Sequence, residues 1–356
     1  MSFWPKEKLP RENGERVFMQ IPEIISASRS TDIPAFYADW FFYRLKVGYS
    51  AWINPFNRVK GYVSYKNTRF IVFWSKNPRP LLKHLNELRE KNIGCYVQYS
   101  LNDYGEGLEP GVHPLTERIE TFKLLVEALG EGHVIWRFDP LILTDGVDIE
   151  ILLKKIENIG DQLKGFTEKL VFSFADIHIY RRVKNNLEKE KIPYKEWSST
   201  DMREFAAKLL ELNKKWKYEL ATCAEDPGIG LKDFGIKPNH CIDDALMIRF
   251  AYEDKILMNA LNVDINPMPQ PDIFGNVMPL PAEAIVLPNG TYAIRGDNKD
   301  KGQRLFCGCM CSKDIGEYNT CVHLCKYCYA NDTKGRAVAN YRQHKLHPMA
   351  ESITGG

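Results

Sequence analysis

With 356 residues, 44% of them hydrophobic and 26% charged, the chain can bury a large core, and its formal charge of +2 singles out no partner for the molecule as a whole. No run of 18 apolar residues occurs, which excludes a helical membrane span. The opening Met-Ser-Phe-Trp-Pro-Lys-Glu-Lys is charged early and lacks the apolar stretch of a secretory leader, so a cytoplasmic location is expected.

Short β-branched and aromatic runs alternate with amphipathic helical patterns, which is the mark of βαβ units and a parallel sheet. Strands are predicted at 24–28, 49–54, 70–75, 94–100, 133–138, 169–174 and 217–222. Pro80 stands near the start of a helix carrying Leu81, Leu85 and Leu88 at helical spacing, with Gly94 past its end. A second helix runs over 115–129 with Ile119, Phe122 and Leu125 inward and Gly130 as its cap. A third, over 201–215, places Phe205, Leu209 and Leu212 on one face, and a fourth is expected over 243–261. Residues 262–284 are rich in Pro and Asn and read as a loop, and Asn289-Gly290 between apolar runs reads as a hairpin.

The strand ends carry more information than the strands. Each predicted run breaks into polar residues at its C-terminal edge: Ser28 to Asp32, Asn54, Ser75 to Asn77, Gln98 to Asp103, Arg137 and Asp139, Ser173 to Asp176, and Thr222 to Glu225. Helix capping and turn chemistry account for such residues singly. Their recurrence at one edge is the pattern of a barrel whose C-terminal mouth carries the chemistry. The expected fold is therefore α/β, a (β/α) TIM-type barrel, full or partial, over residues 1–260. A loop and hairpin excursion follows over 261–300. A cysteine-rich segment over 301–356 is expected to pack on the C-terminal face of the strands.

That segment holds six of the nine cysteines, between Cys307 and Cys328, a clustering that in a reducing cytosol argues for metal rather than disulfides. Cys321, Cys325 and Cys328 have the spacing C-x3-C-x2-C. Three thiolates can hold three irons of a [4Fe–4S] cube and leave the fourth open, whereas a zinc ribbon would add another close pair. A zinc site or a pure electron-transfer cluster remains the alternative on spacing alone. The segment from Arg295 to Lys345 carries ten Lys or Arg against five Asp or Glu, compatible with a nucleic-acid or phosphorylated substrate and equally with a solvated surface.

The motif resembles the signature of the radical SAM superfamily, and Tyr327 stands where that family has an aromatic before its third cysteine. The run from Tyr318 to Asn331 is similar to spore photoproduct lyase-like proteins, including Tyr-Cys-Tyr-Ala. The whole chain resembles a family of uncharacterised bacterial proteins with a radical-SAM-like cysteine cluster at the C-terminus, a departure from the usual position after the first barrel strand. The resemblance implies a [4Fe–4S] cluster on Cys321, Cys325 and Cys328. It also implies S-adenosylmethionine as a second cofactor, cleaved reductively to a 5′-deoxyadenosyl radical, and an external electron donor such as flavodoxin or ferredoxin. Tyr327 then neighbours the adenine, and nucleic acid becomes a candidate substrate class. No Gly-Gly-Glu-like stretch for the methionine amino group is present. His323 is either a hydrogen-bond partner of a cluster sulfur or substrate, or exposed filler.

Cys307, Cys309 and Cys311 form a second group, C-x-C-x-C. Cys307 and Cys309 can pair with Cys223, at a strand end, and Cys241 to make a four-cysteine site, either an auxiliary [4Fe–4S] cluster or a structural zinc. Buried free cysteines without metal are the third possibility. Cys95 reads as core and Cys311 as spare. Ser28, Arg29 and Gln98 are candidate cofactor contacts at the rim, and Lys76 is a further candidate substrate contact. Arg137, Asp139 and Glu225 are the catalytic candidates, the first two sharing one strand face as an orienting pair or an ion pair. Two other functions stay open: a non-catalytic iron–sulfur electron carrier or redox sensor, and a zinc-stabilised barrel hydrolase using Asp139 and Glu225.

Overall fold

The structure is a computed structural model that describes residues 4–54, 57, 59–272, 274 and 276–355. Its centre is a sheet of eight strands: β1 (Ile24–Ala27), β2 (Phe70–Ser75), β3 (Gly94–Ser100), β4 (Val134–Leu141), β5 (Lys169–Phe174), β6 (Glu219–Thr222), β7 (Lys237–Pro238) and β8 (Lys313–Asp314). They lie in the order β8-β1-β2-β3-β4-β5-β6-β7, and every pairing is parallel. Strands β1 to β7 follow one another across the sheet in chain order, as repeated βαβ crossovers require. Strand β8 instead returns from far down the chain and sets Lys313 opposite Ile25.

Helices α1 (Ala38–Val47), α2 (Leu85–Glu90), α3 (Leu115–Leu129), α4 (Ile149–Leu163) and α6 (Ser199–Asn213) cover one face of this sheet, while α5 (Arg181–Lys189) packs its Val183 and Leu187 with Ile142, Ile177 and Tyr327. Local chemistry sets their ends. Asp148 accepts the Ile151 N–H at the start of α4, and Ser198 with Asp201 forms a reciprocal capping box at α6. Gly130, at φ +100°, ends α3 as expected. Ile119, Phe122 and Leu125 of α3 and Phe205 and Leu209 of α6 pack with Ile71, Phe73, Val97, Trp136 and Phe172 of the sheet. The Leu81 to Leu88 stretch begins as a 3-10 turn (Arg79–His84) before α2.

The opposite face explains why the expected barrel does not close. Alternate residues Ile24, Val72, Tyr96, Ile135 and Val171 point there and are covered by α7 (Asp244–Ala251) and α8 (Lys255–Ala260), through Met247, Ile248, Leu257 and Met258. A packed helix is about 10 Å across, so it occupies the space in which a closed barrel holds only its own strand side chains. Among the described residues the edge strands β7 and β8 do not pair, and the sheet stays open. The single helix expected over 243–261 is this pair, separated by a turn that Asp254 caps through the N–H groups of Ile256 and Leu257.

Two further expectations change. Tyr49–Ile53 does form a strand, but in a separate four-stranded sheet with Lys6–Pro10, Arg16–Gln20 and Lys60–Ser64. Asn54 therefore does not belong to the rim. The 261–300 excursion contains a three-stranded antiparallel sheet (Val263–Pro267, Thr291–Arg295, Ile285–Val286), with Gly290 at φ +77° in the expected hairpin turn. The C-terminal segment ends in α9 (Lys334–Leu346), after which Glu351 pairs with Arg11 at 2.9 Å. No described helix is long and apolar enough to cross a membrane.

Candidate functional site

The C-terminal ends of the parallel strands gather one set of polar residues, and Asp314 of β8 fixes its near edge. Its carboxylate accepts from Ser26 Oγ (3.1 Å), Ser28 Oγ (3.1 Å), Ser30 Oγ (3.3 Å) and the N–H groups of Arg29 (2.7 Å) and Gly316 (2.9 Å). Ser28 in turn accepts from the Ser30 and Thr31 N–H groups. Packing is tight enough that a Cβ on Gly316 would lie 1.8 Å from Ser28 Oγ. Ser28 thus serves to shape the turn after β1, with its hydroxyl committed to the main chain and Asp314.

The 321–328 loop lies over the same mouth. Gly111 and His323 clasp it: the Gly111 N–H donates to His323 O (2.9 Å), and His323 Nδ1 faces Gly111 O (3.1 Å). His323 Nε2 meets Asp32 Oδ2 at 2.8 Å, and the same oxygen accepts the Lys76 N–H. His323 is 2% exposed and both ring nitrogens are engaged, so it is not exposed filler; its ring anchors the loop. Leu324, at φ +57°, turns the chain between the first two cysteines.

Burial first, and then the charges of Cys328, Asp32 and Cys325, pushes the Cys321 thiol up; Cys325 is raised by burial and by Glu109 and Cys328, against Lys76. Main-chain N–H groups of His323, Ala330 and Asn331 point at the Cys321 and Cys328 sulfurs, that of Ala330 at 3.3 Å from Cys328 Sγ. Beside them lies a buried polar knot. Lys76 Nζ donates to Glu109 Oε1 (2.7 Å) and Tyr327 OH (2.9 Å), and the Tyr327 hydroxyl also donates to Glu109. Burial pushes the Glu109 carboxyl up, but Lys76 and Arg118 outweigh it and hold it below the usual range. Its other oxygen, Oε2, is buried with no partner.

Asn102, just past β3, joins this knot to the rest of the mouth. Its Nδ2 donates to Tyr327 OH (3.2 Å) and Asp139 O (3.1 Å), and its Oδ1 accepts the Asp139 N–H (2.9 Å). Asp139 is paired with Arg137 and accepts from Ser173 Oγ. Burial raises the Asp139 carboxyl, yet Arg137 and Ser173 bring it below its ordinary value. Arg137 then reaches the second group of thiols, donating from Nη1 to Cys241 Sγ (3.3 Å) and from Nη2 to Cys223 Sγ (3.3 Å). Gln98 accepts from Arg137 Nη1 (3.1 Å) and donates to Cys241 O (3.0 Å). Both Gln98 and Arg137 are fully committed to this network.

Cys223 and Cys241 stand with their sulfurs 3.3 Å apart, and the Cys241 N–H donates to Cys309 Sγ at 3.1 Å. The neighbouring Cys309 holds the Cys307 thiol down, at about 7. The four cysteines named from the sequence are thus neighbours. Cys95 is buried among helix-side core residues, and Cys311 lies near Asp300. Arg29 extends toward Cys309 and Cys241, with its guanidinium 5.7 Å from the Trp74 ring centre. Glu225 accepts the Phe174 N–H (3.2 Å); burial, with Asp176 nearby, lifts its carboxyl to about 8. Sequence reasoning passed over Glu109, Asn239 and Asp314. Glu109 lies in the glycine-rich loop Gly105–Gly111, whose composition reads as solvent-exposed turn, and nothing in the sequence marks its burial.

The model of the family described as "Domain of unknown function (DUF1848)" matches residues 24–330, from the first residue of β1 to just past the third cysteine of the loop. The chain belongs to the DUF1848 family. Its matched span includes the whole central sheet and both cysteine groups. No curated protein matches the chain.

Proposed function

We propose that this DUF1848 protein is a radical SAM-type enzyme, acting at the open, barrel-like sheet's C-terminal mouth on a substrate hydrogen. The observation that carries the reading is the C-x3-C-x2-C loop docked over that mouth, held by His323 on Asp32 and by Tyr327 on Lys76 and Glu109, with the Ala330 N–H on the Cys328 sulfur. This donor set fits a [4Fe–4S] cluster held by Cys321, Cys325 and Cys328: thiolate ligands stabilised by N–H groups, on a loop whose Tyr327 and Cys325 pack against Leu108, Ile142 and Ile177. Bound there with S-adenosylmethionine, the cluster would supply one-electron reductive cleavage to a 5′-deoxyadenosyl radical.

The chain's own residues then have distinct tasks. Glu109 Oε2 is placed to accept from an ammonium such as the methionine amino group, while Lys76 and Tyr327 hold the carboxylate still. Glu225, with its carboxyl lifted to about 8, is protonated at neutral pH and can hand a proton to a substrate at the mouth. An electron carrier built on the same loop would need no such proton donor.

The test uses anaerobically reconstituted full-length protein with dithionite and S-adenosylmethionine, counting 5′-deoxyadenosine. Wild type is expected to form it and Cys325→Ala to form none. Product from Cys325→Ala at the wild-type rate would remove this loop as the radical source. Iron without product in wild type would favour the electron carrier.

A further inference from the structure

We propose that Cys223, Cys241, Cys307 and Cys309 form a second metal centre of four thiolates, distinct from the three-cysteine loop, with Arg137 and Arg29 as its counter-charges. Three separate stretches of chain deliver these residues: the end of β6, the loop after β7, and the segment before β8. Their approach is built rather than incidental. The Met310 N–H donates to Ile242 O (3.1 Å), pinning the 309–310 stretch against 241–242. A Cβ on Gly308 would lie 2.2 Å from His240 Nε2, so the 307–309 stretch passes directly against the His240 ring.

The surroundings suit anionic sulfur. Asn239 Nδ2 lies 3.3 Å from Cys223 Sγ and 3.6 Å from Cys241 Sγ, while Arg137 donates to both with a different nitrogen for each. Neutral thiols are weak acceptors and do little to hold a buried guanidinium; thiolates accept such donors well. Arg29 points its charge at Cys309 and Cys241, and its Nε is buried with no partner. Four thiolates around a divalent ion, or around a [4Fe–4S] core of charge +2, leave a net charge of about −2, which two guanidiniums offset. Loading with zinc, or with a preformed [4Fe–4S] core of charge +2, exchanges four S–H protons for four metal–sulfur bonds and moves no electrons; a core assembled in place balances when two ferrous and two ferric ions meet four sulfides. Arg137 is then a positioning residue for this centre, tying it through Asp139 and Asn102 to the mouth.

A tetrathiolate zinc needs sulfurs about 3.8 Å apart and a cubane on the order of 6–7 Å; among the described residues no three of the cysteine sulfurs are drawn together at zinc spacing, which favours the cubane, and both arms are measured. The full chain with Cys321, Cys325 and Cys328 all changed to Ser isolates the second centre, and its failure is thereby separable from failure of the radical reading. It is purified anaerobically, with either zinc or iron and sulfide supplied, and its metal is counted per chain. The expected result is about one zinc, or about four irons with a cluster absorption band, lost when Cys223→Ser and Cys241→Ser are added. Arg137→Met should release the metal to chelator several-fold faster than wild type, and Arg137→Lys should restore part of the retention. No stoichiometric metal, or a Cys223–Cys241 disulfide in its place, overturns the proposal. Should the triple variant not fold, alkylation of wild type decides. Cys241 and Cys307 are expected to react only after chelation, and equal reaction before and after counts against the site.

Discussion

Glu225 shows how one side chain's surroundings set a measurable property. Burial, with Asp176 nearby, lifts its carboxyl to about 8 in the folded chain against an ordinary 4.5. Between those values the folded protein holds a proton that the unfolded chain has released. Stability from this group is therefore complete below the lower value and is lost as pH rises through the upper one. Urea unfolding from pH 5 to 9 should show wild type losing stability relative to Glu225→Gln. Parallel profiles would mean that Glu225 titrates as an ordinary carboxylate and cannot serve as the proton donor.

At the scale of elements, the loop carrying Cys321 to Cys328 is held by backbone contact as much as by side chains. A Cβ on Gly111 would lie 2.6 Å from Val322 O and 2.7 Å from His323 O. Gly111→Ala should cost about 1–3 kcal/mol in urea unfolding, the usual range for overpacking, and should lower iron at the three-cysteine loop while sparing the four-cysteine group. Equal loss from both groups would mean the loop is not docked through Gly111. Seven predicted strands were legible because β-branched and aromatic runs with polar ends leave a local trace, and the cysteine motifs were legible as spacing. The partner of each strand was not. Tyr49–Ile53 has the same pattern as the central strands, and only tertiary pairing sends it to another sheet. Closure failed for a similar reason: Met247, Ile248, Leu257 and Met258 read as one amphipathic helix, with no sign that their apolar face would fill the concave side of the sheet. At the site, thiol convergence could be guessed from rim positions, whereas the burial of Glu109 and the role of Asp314 depend on contacts more than 200 residues apart in the chain.

Across the whole molecule, Asp314 carries more of the architecture than its two-residue strand suggests. Asp314→Ala would leave three hydroxyls and two N–H groups at the β1 edge without their acceptor. A loss of about 3 kcal/mol is expected in urea unfolding, since each buried donor left unmade costs roughly 1–3 kcal/mol and water recovers some of them. Proteolysis should then cut first between residues 296 and 312, releasing the segment that brings the thiols to the mouth. Wild-type resistance in the variant would show that the segment is held by other means.

Strand β8 also has a consequence for how the protein is made. Strands β1 to β7 leave the ribosome before residue 239, while the strand that pairs with β1 and all three loop cysteines come after residue 312. At ordinary elongation rates the β1 edge stays bare for on the order of tens of seconds. A bare parallel edge is adhesive, so the nascent chain passes through an interval in which it needs shielding from its neighbours. Strand β8 and the three-cysteine loop thus arrive together at the close of that interval, onto a sheet whose other seven strands are already made.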